Sequence, residues 1–285
     1  SVGKIEVANA SSGVGTLYLN NERAIQGTDI VISNASSFGK VQVTSAGSVT
    51  ATANNGLASA SNISISASET SNIVSNGVSE QHITLNAISN NNEQVTFNLQ
   101  ASTVESLSLG GDSPILLSVD VEDISSEIIT ANNKNAALIM SAGDADLSNI
   151  DPEIKLWIPN QDGNTLIVND AQVLYLDAEK TQTSSVEALT LDHVIVASDA
   201  TSNTINLATH DTDIVNSDSI ADVEGLNFVD IQILNFDLSS GVSVESSQNI
   251  SGSSLKDIVI SGDGNFNLGF NTIVGDQNKT VFLDA

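Results

Sequence analysis

Turns that combine Asp with Gly, Asn or a second Asp are the parts of this sequence best suited to chemistry. Calcium takes about six to eight hard oxygen ligands, which Asp carboxylates and the carbonyls of Gly-rich turns supply well. The candidate ligands are Asp112, Asp144, Asp146, Asp162, Asp211, Asp213, Asp263 and Asp276. Most turns of this composition only reverse the chain, but we predict that some of these bind calcium.

The sequence offers little of what an enzyme needs. Its three histidines, His82, His193 and His210, lie far apart in the chain, and we expect their side chains to be solvated. No Gly-x-Ser-x-Gly elbow, His-Glu-x-x-His motif or phosphate-binding loop is present. Carboxylate pairs for glycoside hydrolysis are always available among 35 acidic residues, so they carry no weight. We predict that the protein is not an enzyme and keep a β-helical glycan hydrolase as an alternative.

The single tryptophan, Trp157, lies between Leu156 and Ile158. An exposed Trp can stack on a sugar ring, whereas a buried one fills a core. Because side chains alternate along a strand, Trp157 must point away from its two aliphatic neighbours. The sequence favours a core position.

Charge is the strongest feature of the composition. With 35 Asp and Glu against 8 Lys and Arg, the formal net charge is -27 and the isoelectric point is about 4.1. Such a surface repels nucleic acid and anionic lipid, because phosphate binding needs clustered cations and Arg23 is the only arginine. The same repulsion opposes compaction, so bound divalent cations would stabilise the fold. The alternative is that the charge serves only solubility.

Two further classes are excluded by composition. No apolar run approaches the roughly 20 residues that a membrane helix needs, so we predict no membrane insertion. The chain has no cysteine, which excludes disulfides and thiolate metal sites.

Short runs of alternating apolar and polar residues follow one another along the chain. This period of two, in segments rich in Val, Ile and Thr, is typical of β-strands. Clusters of Asn, Gly, Ser and Asp separate the runs at intervals of about 8–12 residues. Examples of the runs are residues 4–7, 16–19, 40–43, 62–65, 82–85, 94–99, 165–168 and 204–207. The pattern predicts an all-β protein.

One apolar pattern, at the first, fourth and sixth positions, recurs in residues 104–109, 186–191, 223–228 and 255–260. A turn followed by an alternating strand, repeated many times, is typical of stacked solenoid coils. We predict one elongated, repetitive parallel β-solenoid domain over residues 1–285, with a possible division near residue 80 into 1–80 and 81–285. Tandem β-sandwich domains are the alternative, but the aromatic content of 4% and the Asn-rich turns favour the solenoid.

The segment QVTFNL at 94–99, followed by STVESLSLGG at 102–111, resembles the repeats of surface-layer proteins of Gram-negative bacteria. Those proteins are likewise acidic, free of Cys and rich in Ser, Thr, Asn and Gly. The resemblance implies a parallel β-solenoid with RTX-like calcium turns, export by a type I secretion system, and a lattice anchored to lipopolysaccharide. The RTX nonapeptide itself is not met by Gly110-Gly111-Asp112.

These features together predict an extracellular structural protein of the bacterial cell surface. We expect a surface-layer subunit whose calcium-stiffened faces bind other copies of itself, with lipopolysaccharide or another cell-surface glycan as a further partner. The alternative from the binding class is a spacer or ligand-binding module of a type I-secreted adhesin or biofilm-matrix protein.

Overall fold

The computed structural model of the chain describes twenty stretches of the sequence. They are residues 4–7, 15–21, 29–33, 38–51, 57, 60–75, 81–101, 104–124, 127–141, 143–157, 164–175, 189–196, 203–208, 220–229, 231–238, 243–246, 250–252, 254–267, 273–274 and 282–284. The described chain forms β-strands and turns, together with one short 3-10 helix at Val121–Asp123. Within these stretches no helix has the length and apolar character required to cross a lipid bilayer.

The chain divides into two compact units, Ser1–Ile139 and Met140–Ala285. The strands of the first unit are β1 (Lys4–Val7), β2 (Gly15–Asn21), β3 (Asp29–Ile32), β4 (Phe38–Ser45), β5 (Val49–Ala51), β6 (Asn62–Ala67), β7 (Ser71–Ser75), β8 (Gln81–Ala87), β9 (Val95–Ala101), β10 (Val104–Gly111), β11 (Ile115–Val119), β12 (Ile128–Ala131) and β13 (Ala136–Met140), which ends on the first residue of the second unit. Whether residues 1–285 act as one domain, with a division near residue 80, stays a prediction.

The strands of the second unit are shorter on average. They are β14 (Ala145–Asp146), β15 (Lys155–Trp157), β16 (Thr165–Val168), β17 (Val173–Tyr175), β18 (Leu189–Val196), β19 (Thr204–Ala208), β20 (Ile220–Val229), β21 (Ile233–Leu238), β22 (Ser243–Ser246), β23 (Ile250–Gly252), β24 (Asp257–Gly262), β25 (Asn265–Asn267), β26 (Ile273–Val274) and β27 (Phe282–Asp284).

In the first unit, successive strands belong alternately to two sheets. One sheet has the order β1-β3-β5-β7-β9-β11-β13, and the other has the order β2-β4-β6-β8-β10-β12. The pairings whose register is resolved are parallel, as between β4 and β6 or between β7 and β9. A chain that visits two parallel sheets in turn winds as a coil, with each coil stacked on the one before. The predicted parallel β-solenoid is confirmed.

The second unit follows the same rule. Its sheets have the orders β15-β17-β19-β21-β24-β27 and β14-β16-β18-β20-β22-β25, with β23 pairing with β20 and β26 with β23. The resolved pairings here are parallel too, for example β16 with β18 and β21 with β24. Since β-sandwiches are built from antiparallel sheets, these pairings exclude the tandem-sandwich alternative.

The core consists of columns of aliphatic side chains that stack from coil to coil. Val41, Ile63, Ile83, Leu107 and Ile129 are aligned by the registers of their strands. Each of them is at most 2% exposed. Full burial of one such side chain stabilises the fold by about 1.5–3 kcal/mol. Each coil must fill its own section of this column, and the period-two pattern therefore recurs along the sequence.

Polar side chains also stack between coils. Asn98 donates from Nδ2 to Oδ1 of Asn72 at 2.8 Å, and Asn235 donates in the same way to Asn206 at 2.9 Å. Both pairs lie in register on neighbouring strands. Asn stacking, which the sequence suggests for the turns, therefore occurs within the strands.

The repeated segments mark strands without fixing which residues stack. Residues 189–191, the described part of the copy 186–191, and the copy 223–228 fall in the neighbouring strands β18 and β20. Aligning the copies would place Leu189 beside Leu226, but the structure pairs Leu189 with Val223 across a register shift. A β-bulge adds one residue to one of the two paired strands. Equivalent residues of two sequence copies therefore need not be paired in neighbouring strands.

Candidate contact face and histidine cluster

The even-numbered strands of the first unit present a regular polar surface. On β4, β6, β8 and β10, buried residues alternate with residues that point outward. We call the outward-pointing residues the polar face: Lys40, Gln42, Thr44, Asn62, Ser64, Ser66, His82, Thr84, Asn86, Glu105, Ser106 and Ser108.

The strand registers align the polar face in rows. The rows are Lys40-Asn62-His82-Ser106, Gln42-Ser64-Thr84-Ser108 and Thr44-Ser66-Asn86-Gly110. Neighbouring strands are about 4.8 Å apart, so each row repeats at that spacing. Although the chain has a net charge of -27, only Lys40 and Glu105 carry a permanent charge on this face. The polar face is a charge-poor array of hydroxyl and amide groups.

Close contacts between neighbouring coils occur at the edge of the polar face, around Asn86 and Gly110. Asn86 donates from Nδ2 to Oγ of Ser66 at 3.3 Å. A Cβ atom at Gly110 would lie 2.5 Å from Oδ1 of Asn86 and 2.7 Å from Oδ1 of Asn132. Any larger residue at this position would displace the two Asn side chains from where they lie.

A β-bulge reshapes one edge of the face. Val104 pairs with Gln81 and Ser106 pairs with His82, so Glu105 is the extra residue in β10. In a regular strand the consecutive residues Glu105 and Ser106 would point to opposite sides. The bulge releases them from this alternation, and both side chains reach His82.

His82 contacts both of these side chains through its two ring nitrogens. Nδ1 lies 2.8 Å from Oγ of Ser106, and Nε2 lies 3.2 Å from Oε2 of Glu105. The side chains of His82 and Glu105 are 50% and 48% exposed. In the neutral tautomer with its proton on Nε2, the ring donates to Glu105 and accepts the hydroxyl proton of Ser106. We call these three residues the histidine cluster.

Sequence reasoning missed this cluster. His82 is exposed as expected, but it is not merely solvated, because it joins a carboxylate and a hydroxyl. The sequence shows little sign of the cluster, because adjacent residues of a strand normally point to opposite sides and the apolar pattern does not reveal the bulge at Glu105. Of the other histidines, His193 lies in β18 with its side chain outside the described part of the structure, and His210 lies wholly outside it.

Two predicted calcium turns have a structural role of their own. Asp112 and Asp263 are exposed, and each follows a glycine with positive φ, Gly111 at 97° and Gly262 at 93°. The amide of Asp112 donates to the carbonyl of Ala87 at 3.0 Å. These Gly-Asp turns end β10 and β24.

Asp144 and Asp146 both accept hydrogen bonds, Asp144 from a residue 21 positions further along the chain and Asp146 from a residue two positions away. Oδ1 of Asp144 accepts from the amide of Thr165 at 2.7 Å. Oδ1 of Asp146 accepts from the hydroxyl of Ser148 at 2.6 Å and from its amide at 3.1 Å. These bonds do not decide whether a cation binds.

The predicted calcium ligands are not gathered into a shared site in the described part of the chain. No group of three or more His, Cys, Asp and Glu side chains placed to hold a metal ion occurs there. Four candidates, Asp162, Asp211, Asp213 and Asp276, lie outside the described residues. Calcium binding stays a prediction.

Trp157 is a core residue, as predicted. It is 4% exposed, while Leu156 on the other side of the same strand is fully buried. Its ring packs on that of Tyr175 in the next coil, with centroids 4.6 Å apart and planes inclined by 35°. With its face covered in this way, the ring is not an open platform for a sugar.

One carboxyl group is perturbed by its surroundings. Burial raises the pKa of Asp123 above its ordinary value, and the charges of Asp120 and Glu122 raise the pKa further. The amide of Ala101 donates to Oδ2 of Asp123 at 3.1 Å, which acts in the opposite direction. Asp123 lies in the short 3-10 helix, on the first unit's turn between β11 and β12, and is not part of the polar face.

No protein-family model, curated protein or solved structure matches the chain.

Proposed function

We propose that this protein is a structural component of a bacterial surface layer, which assembles with copies of itself through faces of its β-solenoid. The polar face is the single observation that carries the proposal. It combines regular spacing, exposed hydrogen-bonding groups and a low density of charge in an otherwise strongly acidic chain. The location that follows from the proposal is the outside of the cell.

Electrostatics favours the polar face as the contact between copies. Two chains with a net charge of -27 repel each other, and burying unpaired carboxylates between them would be costly. Contact through Ser, Thr, Asn and Gln avoids that desolvation. Hydroxyl and amide groups both donate and accept hydrogen bonds, so like rows can pair with like rows.

The size of the face fits a lattice better than an isolated dimer. Four strands about 4.8 Å apart and five residues long cover on the order of 300 Å². A stable pairwise interface buries about 800 Å² on each partner. One such contact is therefore weak, and many simultaneous contacts are needed for stable binding.

Calcium and a surface glycan complete the proposal. Bound calcium would lower the repulsion between the acidic surfaces that remain outside the contact. Turns such as 143–146 and 262–265 supply Asp and carbonyl oxygens for it. Lipopolysaccharide or another cell-surface glycan is the partner that would anchor the assembly.

A spacer or ligand-binding module of a secreted adhesin is the second candidate. Coils that bond only to their neighbours in the sheet order, as here, can be repeated to any length. Such a spacer needs no contact between copies.

Negative-stain imaging of the purified chain, with calcium and with a chelator, distinguishes the two candidates. The proposal predicts ordered sheets or large oligomers with calcium and their loss with the chelator. A monomer under both conditions would contradict it and favour the spacer.

A further inference from the structure

We propose that Ser106 is a nucleophilic serine that becomes acylated by activated acyl esters, with His82 as its general base. The inference does not depend on the lattice proposal. It concerns a covalent modification of the protein's outer surface, and rests on the geometry of the histidine cluster.

In the histidine cluster a nucleophile, a base and a carboxylate are linked by successive hydrogen-bonding contacts. Nδ1 of His82 is 2.8 Å from Oγ of Ser106, within the range at which a base removes a hydroxyl proton. Nε2 of the same ring is 3.2 Å from Oε2 of Glu105. Arrangements of this kind activate serine on unrelated folds and are recognised by their geometry, not by their order in the sequence.

The reaction balances with these three side chains and an ester. Oγ of Ser106 attacks the ester carbonyl while its proton moves to Nδ1 of His82. The tetrahedral adduct then collapses, the bond from the carbonyl carbon to the leaving oxygen breaks, and the leaving alcohol takes the proton from Nδ1. Glu105 is a positioning residue, which holds the ring by Nε2 and stabilises the transient imidazolium. The products are O-acyl Ser106 and the free alcohol.

The neighbourhood of Ser106 favours an apolar acyl group. Ser106 is aligned with His82 on one side and with Ile128 on the other. Ile128 is 53% exposed, and in the described part of the chain Tyr18 is the only other large apolar side chain that is exposed. An aliphatic acyl chain bound to Ser106 can cover this side chain and remove apolar surface from water.

Ser108 provides a control within the same molecule. It lies two residues further along β10, points outward on the same face and is half-buried like Ser106. Its partner in β8 is Thr84 instead of a histidine. Ser106 also differs from Ser108 in the bulge at Glu105 and in its alignment with Ile128, so the part of the difference in reactivity that His82→Gln removes reports the base.

The test is labelling of the intact chain with p-nitrophenyl butyrate, followed by peptide mapping by mass spectrometry. We expect Ser106 to be acylated at least about tenfold faster than Ser108, since a positioned general base contributes about 10²–10⁴ in rate. His82→Gln should reduce labelling of Ser106 to the level of Ser108. Glu105→Gln should lower the rate at Ser106, and Glu105→Asp should restore part of it, which a purely structural role would not predict.

The acyl preference is tested by replacing the butyrate with the acetate ester. Butyrate should react faster at Ser106 in the natural chain, and Ile128→Ser should remove that preference. Equal labelling of Ser106 and Ser108 in the natural chain would overturn the proposal without reliance on any variant. Unchanged labelling in a His82→Gln variant that keeps the natural circular dichroism spectrum would overturn it as well.

Discussion

At the scale of single residues, glycines set the ends of two strands. Gly111 and Gly262 have φ values of 97° and 93°, which residues other than glycine rarely adopt. A Cβ atom at either position would lie 2.1 Å from a backbone carbonyl oxygen, that of Ala87 or Leu238. Both glycines are therefore required by the stacking of one coil on the next.

Replacing Gly111 by Ala should destabilise the protein by about 2 kcal/mol or more, because the backbone must leave its conformation or move away from Ala87. The free energy of unfolding by urea measures the loss. Gly39→Ala is the matched control, since a Cβ atom at Gly39 would meet nothing within 4 Å. Equal stabilities of the two variants would contradict this account of the turn.

Asp123 should make stability depend on pH in a defined direction. Its pKa in the folded chain is raised from 3.8, chiefly by burial. At pH values between the unfolded and the folded pKa, the folded state binds more protons than the unfolded state. The contribution of Asp123 to the free energy of unfolding therefore falls as pH rises through this window. Asp123→Asn can still accept the amide of Ala101 and should stabilise the chain at pH 7, by on the order of 1 kcal/mol or less.

The gain from Asp123→Asn should vanish below pH 3.8, where the carboxyl group is protonated in both states. Thermal unfolding at pH 7 and pH 3 measures both values. Glu93→Gln, at an exposed position, is the control and should change stability by less than about 0.5 kcal/mol at either pH. A less stable Asp123→Asn variant at pH 7 would refute the assigned direction.

The residue scale also shows why the sequence was ambiguous about calcium. Gly111-Asp112 and Gly262-Asp263 have the composition of metal-binding turns, but the same composition ends a strand in a left-handed turn. Only the backbone angles and the contacts of the neighbouring coil distinguish the two uses. The local sequence predicts neither the backbone angles nor these contacts.

At the scale of elements, buried glutamines tie the turns to the sheets. Gln81 is 1% exposed and donates from Nε2 to the carbonyls of Leu57 and Ala60, at 3.2 and 2.9 Å. Its Oε1 accepts the hydroxyl of Ser75 at 2.6 Å. In the second unit, Gln172 likewise donates to the carbonyl of Ile154 in the preceding coil. Gln81 thus gives hydrogen-bond partners to the Ala60 carbonyl and the Ser75 hydroxyl, as buried polar groups require.

Gln81→Leu should cost about 2 kcal/mol or more, because it keeps the volume but leaves the Ala60 carbonyl and the Ser75 hydroxyl without this partner. The urea midpoint of unfolding measures the effect. Gln100→Leu, at an exposed site on β9, should stay within about 0.5 kcal/mol of the natural chain. A Gln81→Leu variant as stable as the natural chain would show that these turns do not depend on the buried amide.

Most of the long strands were predictable because each must fill a column of the core. The run 165–168 coincides with β16, and the runs 40–43 and 62–65 fall inside β4 and β6. The pattern does not single out β3, in which Ile30, Val31 and Ile32 are three apolar residues in succession, or β5, which is only 3 residues long. The bulge at Glu105 was not predictable, since it depends on how β10 pairs with β8.

At the scale of the whole molecule, the proposed assembly depends on how charge is distributed. The chain carries 35 acidic residues, yet the polar face contains a single carboxylate. If copies bind through this face, a new charge at its centre should prevent assembly, because it must be desolvated beside other acidic chains. A charge added on the opposite sheet should have much less effect.

The most direct test is negative-stain imaging of Thr84→Glu, at the centre of the polar face, beside Gln100→Glu, at an exposed position on β9 of the other sheet. Both variants add the same charge, and both are imaged with calcium at the same concentration as the natural chain. The account predicts that the natural chain and Gln100→Glu form ordered sheets, whereas Thr84→Glu stays monomeric. Sheets of Thr84→Glu indistinguishable from those of the natural chain would contradict assembly through the polar face.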